Sequence, residues 1–412
     1  MVMGQKFFGS SCIVFFVILV SIRFWSFVPF AEYGMLNRFL SLFIDFILLY
    51  LIHQNKNVIT QYNSYYSVKY IIIALFLSAL YAMICGSQSL WDSFNVIMIL
   101  SVGYIFYFYL CKINFSEHHL LNIVFIISVI WTFLEIIQQI TYPVYFFAGR
   151  EEGWWNGELE NRMGLWRFYI WGIDLVILAY CYRLYVAVKK FSLKNFIFVL
   201  IPFIGIACYC SRKHLLILVI VTLFIILSNI RKKWSLTSIL IIGISIVLIY
   251  VFGDSIVEMN EKAVTHDGEG EDFIRYLSGE YFLTKYGEGI PLYYILGAGV
   301  PGGASILNTK IVWLQEFYGF YQQDVGIIGY YSWCGIIGVL SIIYCLYRTI
   351  IRVKYLDTYL VAFFIAKLVL IVFDFWAMWQ VGIVAYSIFL YIADRNILSK
   401  KHIYENRSIN VS

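Results

Sequence analysis

Residues 324–340, DVGIIGYYSWCGIIGVL, return the chain to apolar sequence after its longest polar stretch. Upstream, residues 251–290 read VFGDSIVEMNEKAVTHDGEGEDFIRYLSGEYFLTKYGEGI. ILGAGVPGG follows at 295–303, and WLQEFYGFYQQ at 313–323. Elsewhere apolar spans succeed one another with short connections. One long water-accessible insert in such a chain is where many polar groups can gather, so function is sought there first.

Composition sets the solvent. Of 412 residues, 61% are hydrophobic, 20% aromatic and 13% charged, with mean hydropathy +0.79. A soluble domain carries about a quarter charged residues. This apolar fraction exceeds what one core can hide, so the bilayer is the solvent for most of the chain. The net charge of +5 is not a nucleic-acid signal, because the position of basic residues outweighs their sum in a membrane protein. All eight cysteines lie in or beside apolar spans. Even the Cys208/Cys210 pair has no further ligand nearby, so small buried hydrophobes outweigh a metal or disulfide framework. The first span follows Lys6 without a small-residue cleavage site and reads as a retained helix.

A spanning helix needs about 20 mainly apolar residues. Twelve segments qualify: 11–30, 36–53, 68–86, 93–111, 119–141, 166–188, 195–211, 213–229, 236–252, 324–347, 356–373 and 375–394. The expected fold is therefore an all-α polytopic membrane protein with about 12 transmembrane helices. One long external loop separates spans 9 and 10. Residues 1–252 hold spans 1–9 with a smaller external loop at 142–165. Residues 253–323 form the long loop, and 324–412 form spans 10–12 and a tail. Eighteen of the 30 basic residues fall on one side, in the loops that carry Lys56, Lys112, Lys189, Lys190, Arg231, Lys232, Arg348 and Arg352 and in the tail. The positive-inside bias makes that side cytoplasmic, with both termini inside. The long loop has ten Asp/Glu against four Lys/Arg, acidic as a translocated loop tolerates. The two halves show no inverted hydropathy symmetry, which speaks against a repeat-built transporter.

Arginines stand at the external boundaries: Arg150, Arg162, Arg167, Arg212 and Arg275. Arg212 lies in CYCSRKHLL, in a minimal external turn beside Lys213, against the orientation bias. A cation at that level needs an anionic partner. The planar guanidinium suits phosphate oxygens and keeps its charge. The alternatives are snorkelling to lipid headgroups or pairing with a loop carboxylate. Arg150, next to Glu151 and Glu152, reads as a surface pair. Inside the spans lie Arg23, Asp45, Glu135, Asp174 and Lys367. Both signs are present, so mutual salt bridges are the plain reading, although Asp174 sits two turns below Arg167 and could share a cavity with it.

Candidate bases abound in the loop, Glu316 and Asp324 among them, and the residues alone single out none; Asp324 stands at the membrane entrance of DVGIIG. Asp324 could equally cap the following helix. DGEGED lacks EF-hand spacing, and the glycines of ILGAGVPGG lack a strand before them and a Walker lysine. Segment 270–286 carries Phe273, Leu277 and Tyr281 at helical spacing, which predicts an amphipathic helix on the membrane surface. The cluster Trp313, Phe317, Tyr318, Phe320 and Tyr321 is either a sugar-stacking platform or an interfacial aromatic belt. Gly326/Gly329 and Gly335/Gly338 form a small-residue packing face. The loop shows no clear core of its own, and reads as a lid over a site built by the helices beneath it.

Four stretches carry a family likeness. SRKHLL (211–216), PLYYILGAGV (291–300), DVGIIGYYSWCGIIG (324–338) and NRMGLWRF (161–168) occur in an order that resembles the O-antigen polymerase and ligase superfamily, which includes Wzy-type polymerases. The resemblance implies an enzyme of the bacterial cytoplasmic membrane that joins undecaprenyl-pyrophosphate-linked oligosaccharides at the outer face, without a cofactor. It implies pyrophosphate binding by Arg212, with Arg162, Arg167 and Arg275 as further candidates, and a chain-length regulator and flippase as further partners. No metal is required, since the arginines can supply the positive charge. Ligases of this superfamily carry a histidine late in the loop. Here WLQEFYGFYQQ has none, which favours a polymerase. A lipid-linked oligosaccharide flippase is the alternative from another class, and O-antigen ligase a third reading.

Overall fold

The computed structural model describes residues 2–25, 33–58, 62, 64–144, 146, 161–162, 164–168, 170–230 and 271–409. Helix follows helix: α1 (Val2–Ser21), α2 (Tyr33–Gln54), α3 (Tyr65–Ile84), α4 (Leu90–Ile113), α5 (Glu117–Thr141), α6 (Ile173–Lys189), α7 (Leu193–Cys208) and α8 (Arg212–Ile230). After the long polar stretch come α9 (Glu271–Glu280), α10 (Ile306–Tyr318), α11 (Ile327–Ile350), α12 (Thr358–Phe373) and α13 (Gln380–Ile409). The only strands among the described residues, β1 (Asn161–Arg162) and β2 (Leu165–Trp166), pair antiparallel.

Seven of the described helices contain a stretch long and apolar enough to cross a membrane: α2, α3, α4, α5, α8, α11 and α13. Three shorter apolar helices join them, Gly9–Ser21 within α1, α7 and α12. The chain is accordingly a membrane-embedded helical protein. The expected ninth span, 236–252, lies outside the described residues. The expected sixth span starts late: residues before Ile173 are not helical, because Gly172 takes φ 139° and its missing Cβ leaves room for the Trp131 ring.

Local chemistry sets the helix ends. Ser89, Ser192 and Ser305 cap α4, α7 and α10, each hydroxyl accepting the amide three residues on at 3.1 Å. Such caps contribute about 1 kcal/mol each. Gly319, at φ 67°, ends α10: its amide donates to Gln315 O and that of Phe320 to Leu314 O, both at 3.1 Å. On α2 the usual polarity is reversed. Phe39, Phe43, Phe46 and Tyr50 face outward, whereas Ser41, Ile44, Asp45 and Leu48 are buried, as befits a helix with lipid on one side.

The chain divides into two compact units. Unit one comprises Met1–Asn37, Phe115–Thr265 and Asp357–Lys367; unit two comprises Arg38–Asn114, His266–Leu356 and Leu368–Ser412. In unit one α5, α6 and α7 pack together, with α8 on α6 and α7. Buried Lys367 forms an ion pair with Asp174. Asp174 thus has its partner in α12 rather than in Arg167. In unit two α3 packs on α11 and α4 on α13. Asp394 on α13 is fully buried, and accepts from the Ser64 amide at 3.0 Å, the Ser64 hydroxyl at 3.1 Å and the Tyr107 hydroxyl at 2.6 Å.

Helix α11 is broken. Gly335 has φ 59° and ψ −164° in the middle of it, a conformation essentially reserved for glycine. A break frees carbonyls, which must find other donors inside a membrane protein. The ILGAGV segment supplies them: Ala298 N–H donates to Ser332 O at 2.9 Å and Gly299 N–H to Trp333 O at 3.1 Å. The Ser78 hydroxyl on α3 donates to the same Trp333 carbonyl. The glycines expected to form a packing face therefore do more than pack, since Gly335 opens the helix to receive the loop.

The long stretch is also not without a core. Phe282, Tyr286, Tyr293, Ala298, Leu307, Ile311, Leu314 and Val325 form one buried cluster. Phe282 lies on the π-helical turn Tyr281–Lys285 that follows α9, and Tyr286, four residues on, caps it. The apolar side of this segment meets protein where a membrane surface was expected. Gln88, in the α3–α4 connection, holds the next part of the stretch. Its amide donates to Val300 O at 3.1 Å and accepts from Gly302 N–H and the Ser305 hydroxyl, each at 3.2 Å.

Candidate functional site

In unit one, three of the predicted arginines are carried by elements that meet at the end of α5. The link is Gln139. Its Nε2 donates to the carbonyls of Trp166 and Cys208, the latter at 3.3 Å, and its Oε1 accepts the Trp166 amide at 2.9 Å. One side-chain amide thus fastens β2 and the C-terminus of α7 to α5. Arg167 directly follows Trp166, and Arg162 sits on the paired strand opposite Leu165. Arg212 is four residues beyond Cys208. Tyr142 stacks on Trp166 with ring centres 4.1 Å apart, fixing the hairpin from its other side.

The Arg212 turn is tightly shaped. Tyr209 ends α7, and Cys210 takes the left-handed φ of 51°. Ser211 and His214 are buried, with the hydroxyl 2.9 Å from His214 Nδ1. The His214 ring meets Tyr209 edge-on at 5.2 Å, and Tyr209 lies against Trp131 at 5.9 Å. Trp131 in turn donates its indole N–H to Trp171 O at 3.0 Å. On this support Arg212 is exposed at the first position of α8, with Lys213 half-buried beside it. A cation at a helix N-terminus opposes the macrodipole. Gln139, His214 and Trp131 are the residues that sequence reasoning missed. For His214 a signal existed, since SRKH sets it two positions after Arg212.

Beneath this end, Glu135 is fully buried on α5, and neither carboxylate oxygen has a hydrogen-bond partner among the described residues. The mutual salt bridge expected for the buried charges is found for Asp174 and Lys367 and not for Glu135.

Unit two holds Arg275, Glu316 and Asp324. Arg275 is exposed on α9 and Glu316 on α10, and Asp324 is half-buried in the short turn Gln322–Val325. Their elements adjoin. A Cβ on Gly319, at the end of α10, would lie 3.5 Å from Ile274, and one on Gly279 of α9 would lie 3.9 Å from Val325. Asp324 is not the cap of α11. That position is Gly326, at φ 58°, and no side chain caps it. Gln322 pins the turn from inside, its Oε1 accepting the Trp333 indole N–H at 3.0 Å and its Nε2 donating to the Ser332 hydroxyl at 2.6 Å.

An aromatic ladder descends from this surface. Trp313 meets Phe317 and Tyr318 at 5.7 and 5.1 Å, Tyr318 meets Phe320, Phe320 meets Tyr281, and Tyr281 meets Tyr286. Trp313, Phe317 and Tyr318 are exposed, whereas Tyr286 is fully buried. Lys310 lies over the Tyr286 ring, its ammonium 4.6 Å from the centroid. Partial burial lowers the Lys310 pKa below the ordinary lysine value, with Glu288 opposing the shift.

The fold defines a class, a helical membrane-embedded protein with seven described helices long and apolar enough to cross a bilayer. Compared with known proteins, the chain matches no family model and no curated protein.

Proposed function

We propose that this chain polymerises undecaprenyl-pyrophosphate-linked oligosaccharide repeat units into O-antigen or capsular polysaccharide. The reaction takes place at the outer face of the bacterial cytoplasmic membrane, with both chain termini on the inner side. The observation that carries the reading is the Gln139 junction, which assembles the elements bearing Arg162, Arg167 and Arg212 at one end of unit one. Further support comes from the insert, whose exposed aromatics stand beside Glu316 on α10.

In this mechanism a hydroxyl of one lipid-linked repeat unit attacks the anomeric carbon of the other. The new C–O bond forms as the bond to the lipid pyrophosphate breaks. Negative charge grows on the departing pyrophosphate, and fixed guanidinium groups stabilise it more than they stabilise the bound substrate. Arg212, Arg162 and Arg167 have this role. A carboxylate accepts the proton of the attacking hydroxyl. Exposed Trp313, Phe317 and Tyr318 offer apolar faces to sugar rings. The step needs no cofactor.

Deletion of the gene, followed by electrophoresis of the surface glycan, tests the reading. A polymerase mutant leaves a single repeat unit on its carrier. The buried carboxylates Asp45 and Glu135 favour a flippase as the second reading, and a flippase mutant leaves no repeat unit at all. Long chains persisting after deletion would refute the proposal. Arg212→Ala, at normal membrane abundance, should cut polymer synthesis about 10²–10³-fold, the usual loss when one transition-state donor is removed.

A further inference from the structure

Unit two contains a buried polar constellation that the glycan reading does not use. Ser41 and Asp45 lie one turn apart on the protein-facing side of α2, and both are fully buried. Asp45 is nine residues from either end of its apolar span, Leu36–Gln54, hence near mid-depth of the helix. Asp45 Oδ2 accepts from the Ser101 hydroxyl of α4 at 3.1 Å. The Ser41 hydroxyl accepts from Gln380 Nε2, at the start of α13, at 3.0 Å. Gln380 is 6% exposed. Two oxygens are left over: Asp45 Oδ1 and Gln380 Oε1 are both buried and have no hydrogen-bond partner among the described residues.

An acceptor without a partner at such a depth costs several kcal/mol in general, and here two occur within one constellation. Both accept and neither donates, so what completes them must bring positive charge or protons. Asp45 forms no ion pair among the described residues. The donor atoms are carboxylate, amide and hydroxyl oxygens, which hard cations select. One carboxylate balances one positive charge, whereas a divalent ion would leave a net charge in an apolar interior. Secondary transporters place coupling-ion sites near the bilayer midplane.

We propose that Asp45, Ser41, Ser101 and Gln380 form a sodium-ion site within unit two. The proposal is independent of the glycan reading, and the failure of one leaves the other standing.

The test uses the full chain purified in detergent. Thermal unfolding is followed as sodium chloride replaces choline chloride at constant ionic strength, with potassium chloride as a third series. Tm should rise with sodium and saturate, as for a ligand that binds only the folded state. Potassium should produce a smaller rise, and ²³Na resonance broadening should saturate over the same concentrations. Asp45→Asn should abolish the sodium-dependent rise, and Ser101→Ala should shift its midpoint to higher sodium. If Asp45→Asn does not fold, Ser41→Ala takes its place with the same expected shift. A wild-type Tm equal in sodium and choline would overturn the proposal, leaving a buried water or a proton to complete the oxygens. An equal rise in sodium and potassium would overturn it too, as a general salt effect.

Discussion

Gly335→Ala tests how the insert is fastened to the membrane helices. A Cβ at Gly335 would lie 2.6 Å from the Leu296 nitrogen and closer still to the Ile295 carbonyl, both backbone atoms that cannot swing aside. Two costs follow. The conformation at φ 59°, ψ −164° costs a residue other than glycine about 1–3 kcal/mol. Displacing residues 295–299 also breaks the hydrogen bonds from Ala298 and Gly299 to α11, at about 0.5–1.5 kcal/mol each. The sum is about 2–6 kcal/mol, and its midpoint of about 4 kcal/mol corresponds to roughly a thousandfold change in a local opening equilibrium. Hydrogen exchange read by mass spectrometry on a peptide spanning 295–303 is the assay. Exchange at Ala298 and Gly299 should accelerate by about three orders of magnitude. Gly279→Ala is the control of opposite sign, because its Cβ meets nothing nearer than Ile328 at 3.6 Å, and alanine stabilises a helix interior by about 0.5–1 kcal/mol. Exchange in Gly335→Ala within a few-fold of wild type would refute the account of a helix opened to receive the loop.

Three other perturbations have defined outcomes. Asp174→Ala strands the buried Lys367 ammonium and should cost about 3–5 kcal/mol; the double change Asp174→Leu with Lys367→Met should recover most of it, as read from thermal unfolding in detergent. Gln88→Ala removes three hydrogen bonds to 300–305 and leaves the Gly302 amide without its acceptor, about 1–3 kcal/mol; limited proteolysis should cut within 300–310 sooner than in wild type. Lys310 has a lowered pKa, chiefly through desolvation. Between that lowered value and the ordinary one the unfolded chain binds a proton that the folded chain does not, so stability rises with pH across this alkaline window. Tm measured against pH should show the rise, and Lys310→Met should remove it.

Sequence reasoning located most helices because about 20 apolar residues in a row have few other uses. It placed Arg212 in a short turn for the same reason, since the apolar runs on both sides leave only two or three residues between them. What it could not see was which polar group meets which. Gln139 reads as one more polar residue at the end of a span, and only the folded chain shows it joining Trp166 to Cys208. Asp174 was set beside Arg167 by distance along the chain, yet its partner Lys367 is 193 residues away. The aromatics of the insert resemble an interfacial belt because burial leaves no mark on composition, and the π-helical turn at 281–285 displaces Phe282 and Tyr286 from the α9 periodicity. Gly335 looked like a packing residue because spacing alone does not separate a glycine that lets helices approach from one that breaks a helix.

The carboxylate of Asp394 has a consequence for how the protein is made. It binds Ser64, 330 residues earlier, and Tyr107, 287 residues earlier. Chain elongation at ~5–20 residues per second therefore separates the synthesis of Ser64 from that of Asp394 by roughly 20–60 s. Throughout that interval the buried ends of α3 and α4 lack the acceptor that the finished protein gives them. Unit two, assembled from segments at both ends of the chain, must wait for its last helix. A ribosome stalled before α13 should leave α4 without that packing partner and the Ser64 and Tyr107 donors without their acceptor, exposed to membrane proteases or in need of a membrane chaperone until synthesis resumes.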